Sequence, residues 1–236
     1  MKGERLDRAL AHRGGGSRSL VARAVREGRV KVDGEVVRDP ATPIGTSARL
    51  ELDGEVFATP PVVVLWHKPV GVLCTVEDPW GRADLSGAVA EWLRQGLHPV
   101  GRLDADTSGL LLLCADGTLT QRLLHPKRGV EKVYRARVEG TPDAALEARL
   151  LAGVDTAEGT FAALSVTLDP EVSEVELVVT EGKHRMVRRM LANAGHPVEA
   201  LVRLRFAGLT LGALEVGETR AATDAEVEGL RALVGQ

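Results

Sequence analysis

Cysteine is scarce in this sequence: Cys74 and Cys114 are the only two in 236 residues. Both sit in apolar runs, GVLCT and LLLLCAD, with no second Cys or His at metal-ligand spacing. A disulfide framework and a cysteine-built metal site are therefore excluded, and two buried, reduced thiols are expected. Long apolar runs are also missing. No stretch approaches the roughly 20 residues of a membrane helix, and the opening MKGERLDRAL is charged where a secretion signal is apolar. The expected location is the cytoplasm. No Gly-rich phosphate loop and no GxSxG elbow occurs, which removes the commonest cofactor and hydrolase chemistries, so no cofactor and no metal are expected. Aromatics amount to 3%, with Tyr134 the single tyrosine.

What is present is an ordinary globular composition, 44% apolar and 27% charged, with uneven charge. The net charge of −3 hides a basic head: residues 1–49 hold 11 Lys or Arg against 6 Asp or Glu, an excess of +5 by subtraction. A second basic concentration, Lys183, Arg185, Arg188, Arg189, Arg203 and Arg205, faces only Glu199 within residues 183–205. Phosphate binding depends on such local patches rather than on the total.

The first segment reads as two short helices and a hairpin. Leu6, Ala9 and Leu10 recur at helical spacing before Gly14-Gly15-Gly16 stops the turn. Ser17 is placed to cap a second helix, with Leu20, Val21, Ala24 and Val25 on one face and Arg18, Arg23 and Arg26 around the rest. RVKVDGEVV then alternates, turns at Asp33-Gly34 and resumes, and a strand ARLELDG follows. This order resembles the S-four type αL RNA-binding domain. The resemblance implies that Arg18, Arg23, Arg26 and Lys31 lie against RNA backbone.

Composition shifts to Pro and then to β-branched residues near ATPPVVV. The expected organisation is a domain over 1–57, a linker over 58–61 and a second domain over 62–236. Strands are expected at VVVLWHKP, GVLCT, LLLLCAD, KVYRARVEG, EVELVVTEG and LVRLRFAGLTLG. Helices are expected at DLSGAVAEWLRQG, TLTQRLLHP, PDAALEARLLAG, HRMVRRMLANAG and TDAEVEGLRALVG. Helices separate only some strands, which predicts an α+β fold with a mixed, largely antiparallel sheet.

The segment HPVGRLDADTSGLLLLCADG holds an Arg-Leu-Asp step, then a polar turn, Asp106-Thr107-Ser108-Gly109, then four leucines that must be buried. A carboxylate is thereby set at the lip of a core strand. An Asp in such a turn is usually only a local hydrogen-bond acceptor.

GRLDADTSGLLLL resembles the signature of pseudouridine synthases, in particular of the RsuA-like family. Four further segments are similar to that family's motifs, in the same order: HKPVGVLCTVEDPWGR, EKVYRARVEG, EGKHRMVRRM and LVRLRFAGLTLG. The resemblance implies a cofactor-free isomerase with Asp104 as its catalytic carboxylate, Arg188 as that carboxylate's cationic partner and Tyr134 as its active-site tyrosine. Asp106 is then a turn or cap residue. Met186 stands where many relatives have Gln or Glu, which questions any polar role there.

These residue types suit the reaction. Uridine becomes pseudouridine when the bond from ribose to the ring nitrogen breaks, the uracil turns, and the ribose rejoins it at carbon five. A carboxylate either attacks the anomeric carbon or removes the 2′ proton to give a glycal, and both routes need it ionised. A guanidinium keeps it charged and aimed. The target base must leave its stack, and an aromatic ring is a receiving surface worth about 1–3 kcal/mol per base.

Arg185, Arg188 and Arg189 are expected on one helix face at i, i+3 and i+4, with Asp104 and RNA phosphates as their anions. Lys68, Arg82, Arg102, Lys132 and Arg203 are further expected RNA contacts. His67, His98, His125 and His196 carry no assigned chemistry, and Trp66, Trp80 and Trp92 are expected in the core. The expected substrate is ribosomal RNA, small-subunit in first place and large-subunit as the alternative, acted on by a monomer. A non-catalytic RNA-binding assembly factor is the reading of a different class, and transfer RNA a third target.

Overall fold

A computed structural model describes residues 4–45 and 48–236. The chain divides into two compact units, Met1–Pro61 with Val89–His98, and Val62–Ala88 with Pro99–Gln236.

In the first unit, helices α1 (Leu6–His12) and α2 (Arg18–Arg26) bury Leu6, Leu10, Val21 and Val25 in one cluster with Val30 and Leu50. Ser17 caps α2 as its spacing predicts, accepting from the Leu20 N–H. The sheet is antiparallel: β1 (Val30–Val32) and β2 (Glu35–Val36) form the expected hairpin, and β3 (Leu50–Leu52) and β4 (Glu55–Phe57) form a second, in the order β2-β1-β3-β4. Asp33-Gly34 and Asp53-Gly54 both lie at positive φ, the backbone that tight two-residue hairpins demand.

The second unit is built on a sheet whose main path is β5 (Val63–Lys68), β6 (Thr107–Cys114), β7 (Lys132–Val138), β8 (Ser165–Asp169), β9 (Glu174–Val179), β10 (Val198–Phe206) and β11 (Thr219–Ala221), with two short strands paired beside it. Their order is β8-β9-β7-β10-β6-β5-β11, and the neighbours are antiparallel except β10 and β6. The four leucines of β6, Leu110–Leu113, are all fully buried, as an unbroken apolar run requires. Helices α3 (Gly117–Leu124), α4 (Ala144–Ala152), α5 (Met186–Asn193) and α6 (Asp224–Leu233) fall where their periodicity places them.

Several expectations are corrected. GVLCT forms no strand, only an isolated bridge between Leu73 and Asp84. The helix expected over DLSGAVAEWLRQG is two short pieces, Leu85–Ala88 and Ala90–Arg94, broken at Val89, whose backbone leaves the helical region. Cys114 is buried, but Cys74 is only half-buried and accepts a weak bond from the Leu103 N–H at 3.4 Å. Trp66 is in the core, whereas Trp80 is 78% exposed, because Asp78 turns its loop outward by accepting from the Trp80 and Arg82 N–H groups. No helix among the described residues is long and apolar enough to cross a membrane.

Helix α6 opens on a capping box: the Thr223 hydroxyl accepts from the Glu226 N–H, and the Glu226 carboxylate accepts from the Thr223 N–H. Arg220 adds a two-pronged pair to the same carboxylate at 2.7 and 2.8 Å, and this guanidinium is the main cause that draws the Glu226 carboxyl down to about 2. A carboxylate whose folded pKa is depressed contributes stability above its unfolded value, about 4.5, and loses it as pH falls toward 2. Urea unfolding of wild type and Glu226→Gln should therefore differ most at pH 7, with the gap closing between pH 4.5 and 2.

Candidate active site

The site is assembled around the turn Asp104–Thr107 that feeds strand β6. Each backbone carbonyl of this turn has a donor. Asp104 O takes the Thr107 N–H at 3.1 Å, and Ala105 O takes the Gly71 N–H at 2.7 Å. Asp106 O takes Arg188 Nη2 at 2.6 Å, and Thr107 O takes the Lys68 ammonium at 3.0 Å. The backbone is thus fixed from four directions. The side chain of Asp104, by contrast, has no hydrogen bond or ion pair among the described residues; it lines a cavity of about 410 Å³, within the range of pockets that take small ligands.

Tyr134, 9% exposed on β7, lines the same cavity, as do Arg102, Lys132, Arg185, Arg188 and Arg203. The structure therefore brings Asp104, Tyr134 and Arg188 together, but it changes the pairing among them. Arg188 was expected on Asp104; instead it donates to the carbonyls of Val198 and Asp106, and its Nε lies 3.4 Å from Asp106 Oδ2, close enough for ion pairing without hydrogen-bond alignment. Arg185, at the left-handed first position before α5, grips the Asp106 carboxylate with both prongs at 2.8 and 3.0 Å. The Arg185 bond, aided by Arg188, keeps the Asp106 carboxyl below the usual carboxylate range despite partial burial. Asp106, read as a turn residue, is thus the anion that holds both guanidiniums. Its sign was legible as charge in the DAD sequence, but which of two carboxylates two residues apart meets the helix is settled by packing alone.

The consequence for Asp104 is an ionisable group with cations around it but none bound to it. Its charge acts on Arg185, Arg188 and Lys68 through space. Burial pushes Lys68 below the ordinary lysine value, and the acids Cys74, Asp104 and Asp106 oppose that push.

Lys68 itself is a correction. It is fully buried, with Nζ donating to Pro69 O and Thr107 O, so it is sealed from solvent and bolts down the turn that carries Asp104. A misplacement of 1 Å is worth about 10²-fold in rate. Lys68→Met should lower the single-turnover rate about 10²-fold while the dissociation constant for RNA stays within twofold of wild type. Equal losses in both would show that the lysine touches RNA.

Other expected contacts are dispersed. Arg189 turns to Glu158 at 2.5 Å and does not line the cavity, because α5 starts at Met186 and rotates it off the Arg185–Arg188 side. Met186 is buried and lines the cavity as an apolar surface. Arg82 pairs with Asp78 and lies 5.1 Å over the exposed Trp80 ring. In the first unit Arg18 pairs with the buried Asp7 and Arg23 with Glu27, while Arg26 and Lys31 are exposed. Sequence reasoning missed Asp106 and the stacked pair of Trp80 and Arg82.

An anchored turn thus presents one free carboxylate beside a tyrosine and two arginines, in a cavity of small-ligand size. The sequence matches the RNA pseudouridylate synthase family over residues 62–193 and the S4 domain over residues 4–50. It is similar to the ribosomal large subunit pseudouridine synthase B of Bacillus subtilis, with 39% identity covering 98% of this chain and 96% of the relative. It is also similar to an uncharacterized RNA pseudouridine synthase of Mycobacterium tuberculosis, with 37% identity covering 99% and 95%. A solved crystal structure of a pseudouridylate synthase superposes with a TM-score of 0.65 at 30% identity, covering 96% of this chain and 99% of that one. This chain belongs to the RNA pseudouridylate synthase family, in its RsuA-like branch, and is a pseudouridine synthase carrying an S4 domain.

Proposed function

We propose that the enzyme isomerises a uridine of large-subunit ribosomal RNA, with Asp104 as the catalytic carboxylate. The observation that supports the chemistry is the free carboxylate of Asp104 on a turn held at every carbonyl, facing a cavity with Tyr134. The extruded base enters beside the Tyr134 ring, whose stacking offsets part of the few kcal/mol of unstacking. Asp104 then attacks the anomeric carbon or removes the 2′ proton, and uracil leaves, turns and is rejoined through carbon five. Arg188 acts as a positioning residue here: it holds the Asp106 carbonyl and keeps the potential at Asp104 positive without sequestering the carboxylate.

The large-subunit target is supported by the relative of that name matched over nearly both full lengths. This target takes the place of the small-subunit expectation, because the relatives matched carry the large-subunit name. The S4 match supports ribosomal RNA as the partner through Arg26 and Lys31, and a cytoplasmic, monomeric enzyme follows as the simplest setting. Mapping pseudouridines in both ribosomal RNAs with and without the gene tests the reading: one position lost from large-subunit RNA is expected, and a loss confined to small-subunit RNA overturns the target.

A further inference from the structure

Arg203 is a buried charge with little to satisfy it. It is 3% exposed on β10, its Nε donates to Leu110 O at 2.8 Å, and neither Nη1 nor Nη2 has a partner among the described residues. Its guanidinium lies 4.9 Å over the Phe206 ring, and the Lys132 ammonium lies 5.8 Å from the same ring. Two cations lie against one aromatic ring with no carboxylate bound to Arg203, and the Lys132 ammonium donates to the carbonyls of Val130 and Thr180. Burial, and then the neighbouring Arg203, draw the Lys132 ammonium down to about 8. Leaving guanidinium donors buried without acceptors is expensive, so the arrangement calls for an anion that arrives with the substrate.

Depth and register say which anion. Arg203 stands opposite Tyr134 across the β7–β10 ladder, and directly opposed residues present side chains to the same face about 5 Å apart. A base resting on Tyr134 therefore offers its edge to Arg203, whereas a backbone phosphate stays at the mouth of the cavity. We infer that Arg203 is a further catalytic residue, which donates hydrogen bonds to a carbonyl oxygen of the departing uracil ring. This inference rests on the proposed function. When the bond from the anomeric carbon to N1 breaks, its electron pair remains on the ring and spreads to O2 and O4. The carboxylate of Asp104, or the glycal double bond, satisfies the sugar. Arg203 gives up no proton in this step; it holds the charge until C5 bonds to the anomeric carbon, as the bond to Asp104 breaks or, on the glycal route, the proton taken by Asp104 returns to C2′. The proton on C5 is then lost to water and N1 takes one up. Donors to neutral carbonyls gain little, and donors to the ring anion in a dry cavity gain much more, so the contact favours the transition state.

The test uses the full chain and unmodified in vitro transcripts of large-subunit ribosomal RNA made with uridine or with 5-fluorouridine, read as loss of the N-glycosidic linkage in single turnover. Arg203→Gln should slow the uridine reaction about 10²–10³-fold and leave the RNA dissociation constant within twofold. The deficit should shrink markedly with 5-fluorouracil, a more acidic ring whose anion needs less help. An equal deficit on both bases, or weakened RNA binding with the rate intact, overturns the assignment. Should Arg203→Gln fail to fold, Arg203→Lys, which keeps the charge and loses the planar fork, is read through the same comparison. Wild type measured alongside separates the two failures: a wild type that forms no pseudouridine sinks the proposed function, whereas an active wild type matched by its Arg203 variants sinks only this inference.

Discussion

Asp104→Asn should lower turnover by at least about 10⁴-fold, the scale on which loss of a covalent or proton-transferring group is felt when the rest of the site survives. The substitution is nearly isosteric, and in the folded protein this side chain has no hydrogen bond to lose among the described residues. Its backbone carbonyl bond to Thr107 is unaffected. Thermal stability should accordingly match wild type, and RNA affinity should stay close to it, because binding rests on the basic surfaces elsewhere. Removing one negative charge from among Lys68, Arg185 and Arg188 should, if anything, tighten binding of a polyanion. Single-turnover kinetics with a filter-binding control checks both halves. An Asp104→Asn protein that turns over at a tenth of the wild-type rate would transfer the chemistry to another residue. Asp106→Asn is the contrasting variant: it removes the anion that Arg185 grips and that lies beside Arg188, so it should impair the rate and destabilise the fold together.

Gly109→Ala is expected to be the most destabilising small substitution in the second unit. Gly109 sits at φ +109° where β6 runs parallel to β10, and a Cβ there would overlap the backbone nitrogen and carbonyl oxygen of Arg203. The neighbour is main chain in the middle of the sheet, so it cannot swing aside. Strain at a backbone angle closed to L-residues adds to overpacking, and together these cost about 3–5 kcal/mol, a large part of a typical domain's stability. Urea unfolding should show a shifted midpoint, and residual activity should fall with the folded fraction. A midpoint within 0.5 kcal/mol of wild type would mean that the β6–β10 contact is looser than the geometry shows.

The two variants mark what the sequence discloses and what it withholds. Periodicity located α2 and α5, the Ser17 cap, the Asp33-Gly34 turn and the buried run Leu110–Leu113, because each is dictated within one turn or one strand. Motif order placed Asp104, Tyr134 and Arg188, and the fold brings all three to one cavity. Partner choice was not legible. Asp104 and Asp106 have the same chemistry and lie two residues apart, and only the docking of α5 decides that the arginines take the second. Lys68 looked like a surface cation, yet the need of the Pro69 and Thr107 carbonyls for a donor draws it into the interior. Trp80 looked like core, yet the Asx geometry of its short loop faces it outward. In each case a long-range backbone or carboxylate demand overrode the local propensity.

The turn that carries Asp104 takes its anchors from residues 68 and 71, from itself, and from residue 188. Synthesis from the N-terminus supplies the last of these only after four-fifths of the chain has been made. A nascent or clipped fragment lacking α5 carries the Asp104 carboxylate on a turn short of one of its four anchors and without the cations of residues 185 and 188, and it is expected to form no pseudouridine until that helix has been made.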